Sequence, residues 1–311
     1  MMIASNILEA IGNTPIVQLR KVVPPHSARV LVKLEWANPT GSMKDRMAKG
    51  MIERAEANGR LLPGGTVVEY TGGTTGVSLA FVCAAKGYHF HAVFSDAFSD
   101  DKRVMMQAFG AKVTDVISEN KMITEKLIRG MIEKSRSLAQ QPGHWWSNQL
   151  SNDDGIPGYH ALGEEIWNAT DGKIDAFIQS VGTAHSIHGV TTSLWKHNPK
   201  IHITAVEPAE SPVLSGGEAG AHQIEGIGIG FTPPLWDRKL VNEVTIVSTE
   251  EARMMARRLA SEEGLFAGTS SGGNVAAALR LARRLGPNAT VVTLLIDSGL
   301  RYVSTDLYPK L

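Results

Sequence analysis

The residues best placed to do chemistry lie in the stretch Asn38-Pro39-Thr40-Gly41-Ser42-Met43-Lys44-Asp45-Arg46. Pro39 and Gly41 stop the extended segment before them. Ser42 is a candidate N-cap for a helix whose apolar residues recur at helical spacing from Met43 onward. Lys44 then falls in the first turn, where the helix end carries partial positive charge and disfavours a cation by about 0.3–1 kcal/mol. Burial lowers the basicity of such an amine further. A lysine that is neutral near physiological pH is what Schiff-base chemistry requires. Taken alone, Lys44 also fits an ordinary exposed lysine.

Four glycine-rich turns carry the next signals. Thr71-Gly72-Gly73-Thr74-Thr75-Gly76 joins an expected strand to an expected helix. Its amides and the helix dipole suit an anion, but no Lys-Ser or Lys-Thr pair follows, so it is not a P-loop. Ser180-Val181-Gly182-Thr183-Ala184-His185-Ser186 makes a second strand-to-helix turn suited to a phosphate. It lacks the glycine spacing of a dinucleotide fingerprint. His185 and His188 are spaced for a metal pair, but no third ligand accompanies them, and no metal is expected. Glu225-Gly226-Ile227-Gly228-Ile229-Gly230-Phe231 suits a mobile loop over a site. Ala267-Gly268-Thr269-Ser270-Ser271-Gly272-Gly273 enters a helix, with Ser270 or Ser271 as ligand group or simple N-cap. Cys83 reads as core, and no G-x-S-x-G elbow supports a serine triad.

These turns need elements to hold them. Strands are expected at Ala28–Trp36, Thr66–Tyr70, Phe90–Phe94, Val113–Ile117, Ile174–Ser180, Ile201–Val206 and Val291–Ile296. Helices are expected from Lys44 to about Gly59 and at Thr75–Lys86, Asp100–Phe109 and Met122–Ser135, then from Ser186 to Trp195 and at Glu250–Glu263 and Gly273–Arg284. The alternation implies α/β architecture, with two open, mostly parallel sheets flanked by helices and a cleft between two domains. The smaller domain is expected at residues 38–147 and the larger at 1–37 with 148–311.

With 31 basic and 31 acidic residues the formal net charge is +0, and no basic stripe interleaves with aromatics, so nucleic acid is not an expected partner. No run of apolar residues is long enough to span a membrane, and the first residues lack a signal-peptide pattern. With Cys83 as its one cysteine, the chain reads as cytoplasmic.

In order and spacing these motifs resemble the cysteine synthase family, fold type II of the pyridoxal-phosphate enzymes, from about Ile7 to Leu307. The resemblance rests on IGNTPIVQL, NPTGSMKDRMA, TGGTTG, SVGTAHS, VEPAESPVL, HQIEGIGIGF, EEGLFAGTSSGG and DSGLRYVST. It implies pyridoxal 5'-phosphate as cofactor, carried on Lys44, which also serves as acid and base at the substrate α-carbon. It implies that Gly182, Thr183, Ala184, His185 and Ser186 hold the cofactor phosphate and that Ser270 meets the pyridine nitrogen. Thr71, Gly72, Gly73, Thr74 and Thr75 would bind the substrate carboxylate, Thr74 would also border the cofactor, and Gly226 to Gly230, with Gly226 and Gly228 at the substrate, would move. A hydroxyl at the ring nitrogen leaves the ring largely neutral, which suits elimination of a β-leaving group and capture of the aminoacrylate by a nucleophile.

The sequence departs from the family pattern in several places. Gly72 stands for the usual serine and Thr74 for the usual asparagine. Ala184, His185 and Ser186 end a phosphate loop usually written Gly-Thr-Gly-Gly-Thr. The glutamine usual near the carboxylate is read at Trp145, followed by Trp146. The expected function is β-replacement on an O-activated serine or related amino acid with a sulfide or thiol, in a homodimer. The alternatives are a β-elimination lyase of the cysteine desulfhydrase kind and a non-catalytic binding protein on the same fold.

Overall fold

A computed structural model describes residues 3–308. The chain divides into two compact units. One takes the described residues through Ile11 together with Asn38–Gly158; the other takes Gly12–Ala37 and the described residues from Tyr159 onward. The second unit begins with β1 (Ile16–Gln18) and β2 (Arg29–Leu34). The first unit then contributes α1 (Lys44–Ala57), β3 (Thr66–Tyr70), α2 (Thr74–Lys86), β4 (His89–Phe94), α3 (Asp100–Ala108), β5 (Lys112–Asp115), α4 (Glu125–Leu138) and β6 (His144–Trp146). The second unit resumes with α5 (His160–Ala169), β7 (Ala176–Ser180), α6 (His185–His197), β8 (His202–Pro208), β9 (Glu243–Val247), α7 (Thr249–Arg258), α8 (Thr269–Leu285) and β10 (Thr290–Leu295).

The first unit has a four-stranded, wholly parallel sheet in the order β5-β4-β3-β6. Its core joins Leu8, Ala48 and Ile52 to Val67, Val77, Phe81, Phe90, Phe94 and Met106. The second unit has six strands in the order β1-β2-β10-β7-β8-β9, all parallel except the β1–β2 pair. β7 and β10 are buried along their whole length, as central strands covered on both faces must be. The expected α/β class with two mostly parallel sheets therefore holds. Parallel strands put their C-terminal ends on one edge, where α/β sheets receive ligands. The turns after β3, β4 and β7 all lie at such ends.

The boundaries differ from those expected in two places. The segment before Ile11 joins the first unit because Leu8 packs into that unit's core. Residues 148–158 join it too, since the Gln149 amide donates to Glu69 and its side chain to the Tyr70 carbonyl. Three short strands lie outside the set expected above: the sheet-edge strands β1 and β9, and β6, which carries both Trp145 and Trp146. α4 starts at Glu125 rather than Met122, after Asn120 and Lys121 take positive φ. Among the described residues no helix is long and apolar enough to cross a membrane.

Candidate active site

Lys44 is the first residue of α1, in the first unit. Ser42 is not the N-cap in backbone terms, since Met43 holds that place, but its Oγ accepts from the Lys44 amide at 3.2 Å. The turn before the helix is fixed from within. Asp45, fully buried, accepts from the Thr40 amide at 2.8 Å and the Thr40 hydroxyl at 2.6 Å. A carboxylate in a first helical turn is favoured by the helix dipole, so Asp45 is in its preferred place and Lys44 is not. Burial disfavours the ammonium form of Lys44 and lowers its pKa to about 8.

The turn Thr71–Thr75 leads β3 into α2 in the same unit. Thr71, fully buried, accepts on its Oγ1 from the amides of Gly73 (2.9 Å) and Gly76 (3.0 Å). The amides of Thr74 and Thr75, at the first two helical positions, have no acceptor within the helix, an arrangement suited to an anion. Gly73 has φ 125°, and a Cβ there would overlap Lys102 Cδ, so only glycine fits.

Gln149 is the residue that sequence reading missed. Its Oε1 accepts from the Thr75 hydroxyl at 2.7 Å and its Nε2 donates to the Tyr70 carbonyl at 2.9 Å. Trp145, read as the substrate-side residue, pairs instead with Val67 in mid-strand, packs against the core of the unit and lies 5.9 Å from the Arg60 guanidinium. A glutamine, Gln149, thus stands four residues later and bonds Thr75. The signal that would have found it is the register of β6 on β3, which carries the chain after Trp146 past Glu69 and Tyr70. Glu69, fully buried, receives the Ser147 hydroxyl at 2.6 Å and the Gln149 amide at 2.9 Å. Burial pushes its carboxyl up to about 7 against these stabilising bonds.

The second unit holds the other turns. Between β7 and α6, Ala184 is the N-cap with φ 70°, which leaves the amides of Ser186 and Ile187 unused by the helix. Thr183 Oγ1 and His185 Nδ1 are 2.8 Å apart. Gln179 Nε2 donates to Ser186 Oγ, which leaves the serine's own proton for another acceptor. A Cβ on Gly182 would overlap the Gly226 carbonyl oxygen, so the turn and the glycine-rich loop touch backbone to backbone. That loop is pinned by His222. Its Nδ1 accepts from the Ile224 amide at 3.2 Å, so Nε2 carries the proton and donates to the Gly228 carbonyl at 2.7 Å. Ser270 and Ser271 both lie inside α8, whose N-cap is Gly268, so neither is a cap. Ser271 accepts from the Ile296 amide at 2.8 Å. Among the described residues Ser270, 2% exposed, has no hydrogen-bond partner for its hydroxyl, and Thr269 beside it accepts from the Glu225 amide at 3.1 Å.

Residues 7–297 match the family described as pyridoxal-phosphate dependent enzymes. The chain belongs to this family. It is 44% identical over 306 residues to a cysteine synthase of Staphylococcus aureus, covering 97% of this chain and 96% of that one. Among solved structures it resembles a cysteine synthase from Entamoeba histolytica, with TM-score 0.92, 36% identity and coverage of 99% and 91%. It also resembles an O-acetylserine dependent cystathionine beta-synthase from Helicobacter pylori, with TM-score 0.92, 33% identity and coverage of 99% and 100%.

The residues present fit the family cofactor. Between Ser180 and Ile187 there is no carboxylate, the Ser186 and Ile187 amides are unused by the helix, and a serine proton is available, as a phosphate dianion requires. Lys44 has the lowered basicity that condensation with an aldehyde needs.

Proposed function

We propose that this protein catalyses pyridoxal-phosphate-dependent β-replacement, exchanging the leaving group of an O-activated serine or related amino acid for a sulfide or thiol. The observation that carries this reading is the 44% identity to a cysteine synthase over nearly the whole length of both chains. When bound, the cofactor supplies an electron sink for charge developing at the substrate α-carbon. The roles of the protein's own residues follow from their chemistry.

Gly182, Thr183, Ala184, His185 and Ser186 hold the phosphate through amides and hydroxyls. Lys44 would hold the aldehyde until the substrate's amine displaces it; its freed amine would then take the α-proton as the β-substituent departs with its bonding electrons, and return that proton after the nucleophile adds at the β-carbon. Its pKa of about 8 suits both directions of transfer near neutral pH. The Thr74 and Thr75 amides, with Gly72 and Gly73, receive the substrate carboxylate, and Gln149 orients Thr75. Ser270 offers a hydroxyl rather than a carboxylate to the ring nitrogen, which limits how much charge the ring withdraws. The segment of Gly226 and Gly228 closes on the substrate. The reading includes a homodimer, which light scattering on the purified protein checks.

The decisive experiment compares wild-type protein with Lys44→Ala. The variant is expected to lack the visible absorbance of the wild type and to lose replacement by a factor of about 10²–10⁴ or more. A variant that keeps the wild-type spectrum contradicts the role of Lys44. Pyruvate as the main product at saturating thiol would assign the protein to elimination instead.

A further inference from the structure

Gly72 lies in the carboxylate turn after β3, and Phe98 lies in the turn after β4, the neighbouring parallel strand. A Cβ built on Gly72 would sit 2.9 Å from Phe98 Cε1 and 3.3 Å from both Cδ1 and Cζ. Residue 72 therefore has no side chain because the Phe98 ring already occupies that volume. The ring is held there. The Phe98 amide donates to the Ser95 carbonyl at 3.2 Å, and the ring tilts on Phe94 at a centroid distance of 5.7 Å. The next turn residues are fixed as well, since Asp96 accepts from the Ser118 amide at 2.8 Å. Phe98 is half-buried, packed against the core of its unit with part of its surface accessible.

We propose that Phe98 is a specificity-determining residue, forming an apolar wall that favours an organic thiol over hydrogen sulfide as the acceptor. This rests on the β-replacement reading. An amino acid whose carboxylate is held by the Thr74 and Thr75 amides has its β-carbon two bonds from that carboxylate. The wall beside Gly72 thus lies next to whatever is attached at the β-carbon. Hydrogen sulfide has no carbon to place there, whereas an organic thiol buries its apolar body against the ring.

The test uses the purified holoenzyme with O-acetylserine and two acceptors, hydrosulfide and thiophenol. The readout is the ratio of their kcat/KM values. Phe98→Ala is expected to lower the thiophenol-to-hydrosulfide ratio by about tenfold or more. A second readout is independent of turnover. Gly72→Ser is expected to lower the melting temperature, and Gly72→Ser combined with Phe98→Ala is expected to recover most of the loss, because the ring and the side chain compete for one volume. An unchanged ratio in Phe98→Ala, with wild type active on hydrosulfide, overturns the wall and leaves the replacement reading intact. Failure of the double variant to regain stability overturns the exchange of volume. Absence of turnover with either acceptor overturns the replacement reading itself, and the acceptor preference falls with it.

Discussion

Lys44 is placed against the preference of its own helix end, and burial completes the effect by lowering its pKa to about 8. Below that pH the amine is mostly protonated and cannot attack an aldehyde. Protein stripped of cofactor is therefore expected to take up pyridoxal phosphate faster as pH rises, levelling above about 8, followed as visible absorbance. Uptake that keeps rising about tenfold per pH unit past 9, with no levelling near 8, would contradict the lowered basicity. The linkage has a defined sign. The folded-state value lies below the ordinary 10.5, so between about 8 and 10.5 the unfolded chain binds more protons and the stability of the stripped protein rises with pH. Gln149 acts through its neighbours. Gln149→Ala leaves the Thr75 hydroxyl and the Tyr70 carbonyl without their partner, at a cost of about 1–3 kcal/mol. The expected outcome in steady-state kinetics is a rise in KM for the amino acid of about tenfold, with a smaller change in kcat. Equal loss in kcat with KM unchanged would instead put Gln149 in the chemical step.

At the scale of elements, the β3–β6 pair does more than extend a sheet. It brings Ser147 and Gln149 against Glu69, a carboxyl that burial pushes up to about 7. A carboxyl with a raised folded-state value binds more protons folded than unfolded between about 4.5 and 7, so its contribution to stability falls as pH rises through that window. The melting temperature of wild type relative to Glu69→Gln is therefore expected to rise as pH is lowered from about 7 to about 4.5. A difference that stays constant with pH would show that Glu69 does not titrate there. This pair also marks the limit of what sequence patterns reveal. The Lys44 turn and the Gly182–Ser186 turn were legible because each is a local run in which glycine, hydroxyl residues and a helix start fall together. Three residues with two tryptophans give no strand period, so β6 went unseen, and Gln149 was passed over for Trp145. Phe98 was equally invisible, because what makes it matter is its contact with a glycine in a neighbouring turn.

For the molecule as a whole, each unit can be tested by itself for what the proposed reading asks of it. Lys44 belongs to the first unit; the Gly182–Ser186 turn, proposed above to hold phosphate, and Ser270 belong to the second, which has its own core around β2, β7 and β10. If the second unit alone supplies the phosphate site, inorganic phosphate should stabilise stripped protein with no help from Lys44. A ligand at ten times its Kd contributes about 1.4 kcal/mol, enough to read in a melting curve. Lys44→Ala is expected to keep the full phosphate-induced rise in melting temperature. Ser186→Ala, which removes the proton that Gln179 leaves available, is expected to reduce it while the Ser186 and Ile187 backbone amides keep part of it. The opposite pattern, with the rise lost in Lys44→Ala and kept in Ser186→Ala, would mean that the anion binds by charge at the lysine rather than by amides at the start of α6. The geometry favours the amides. The turn is built from backbone whose close contacts forbid side chains at Gly182, and a serine already oriented by Gln179 loses little freedom when an anion arrives.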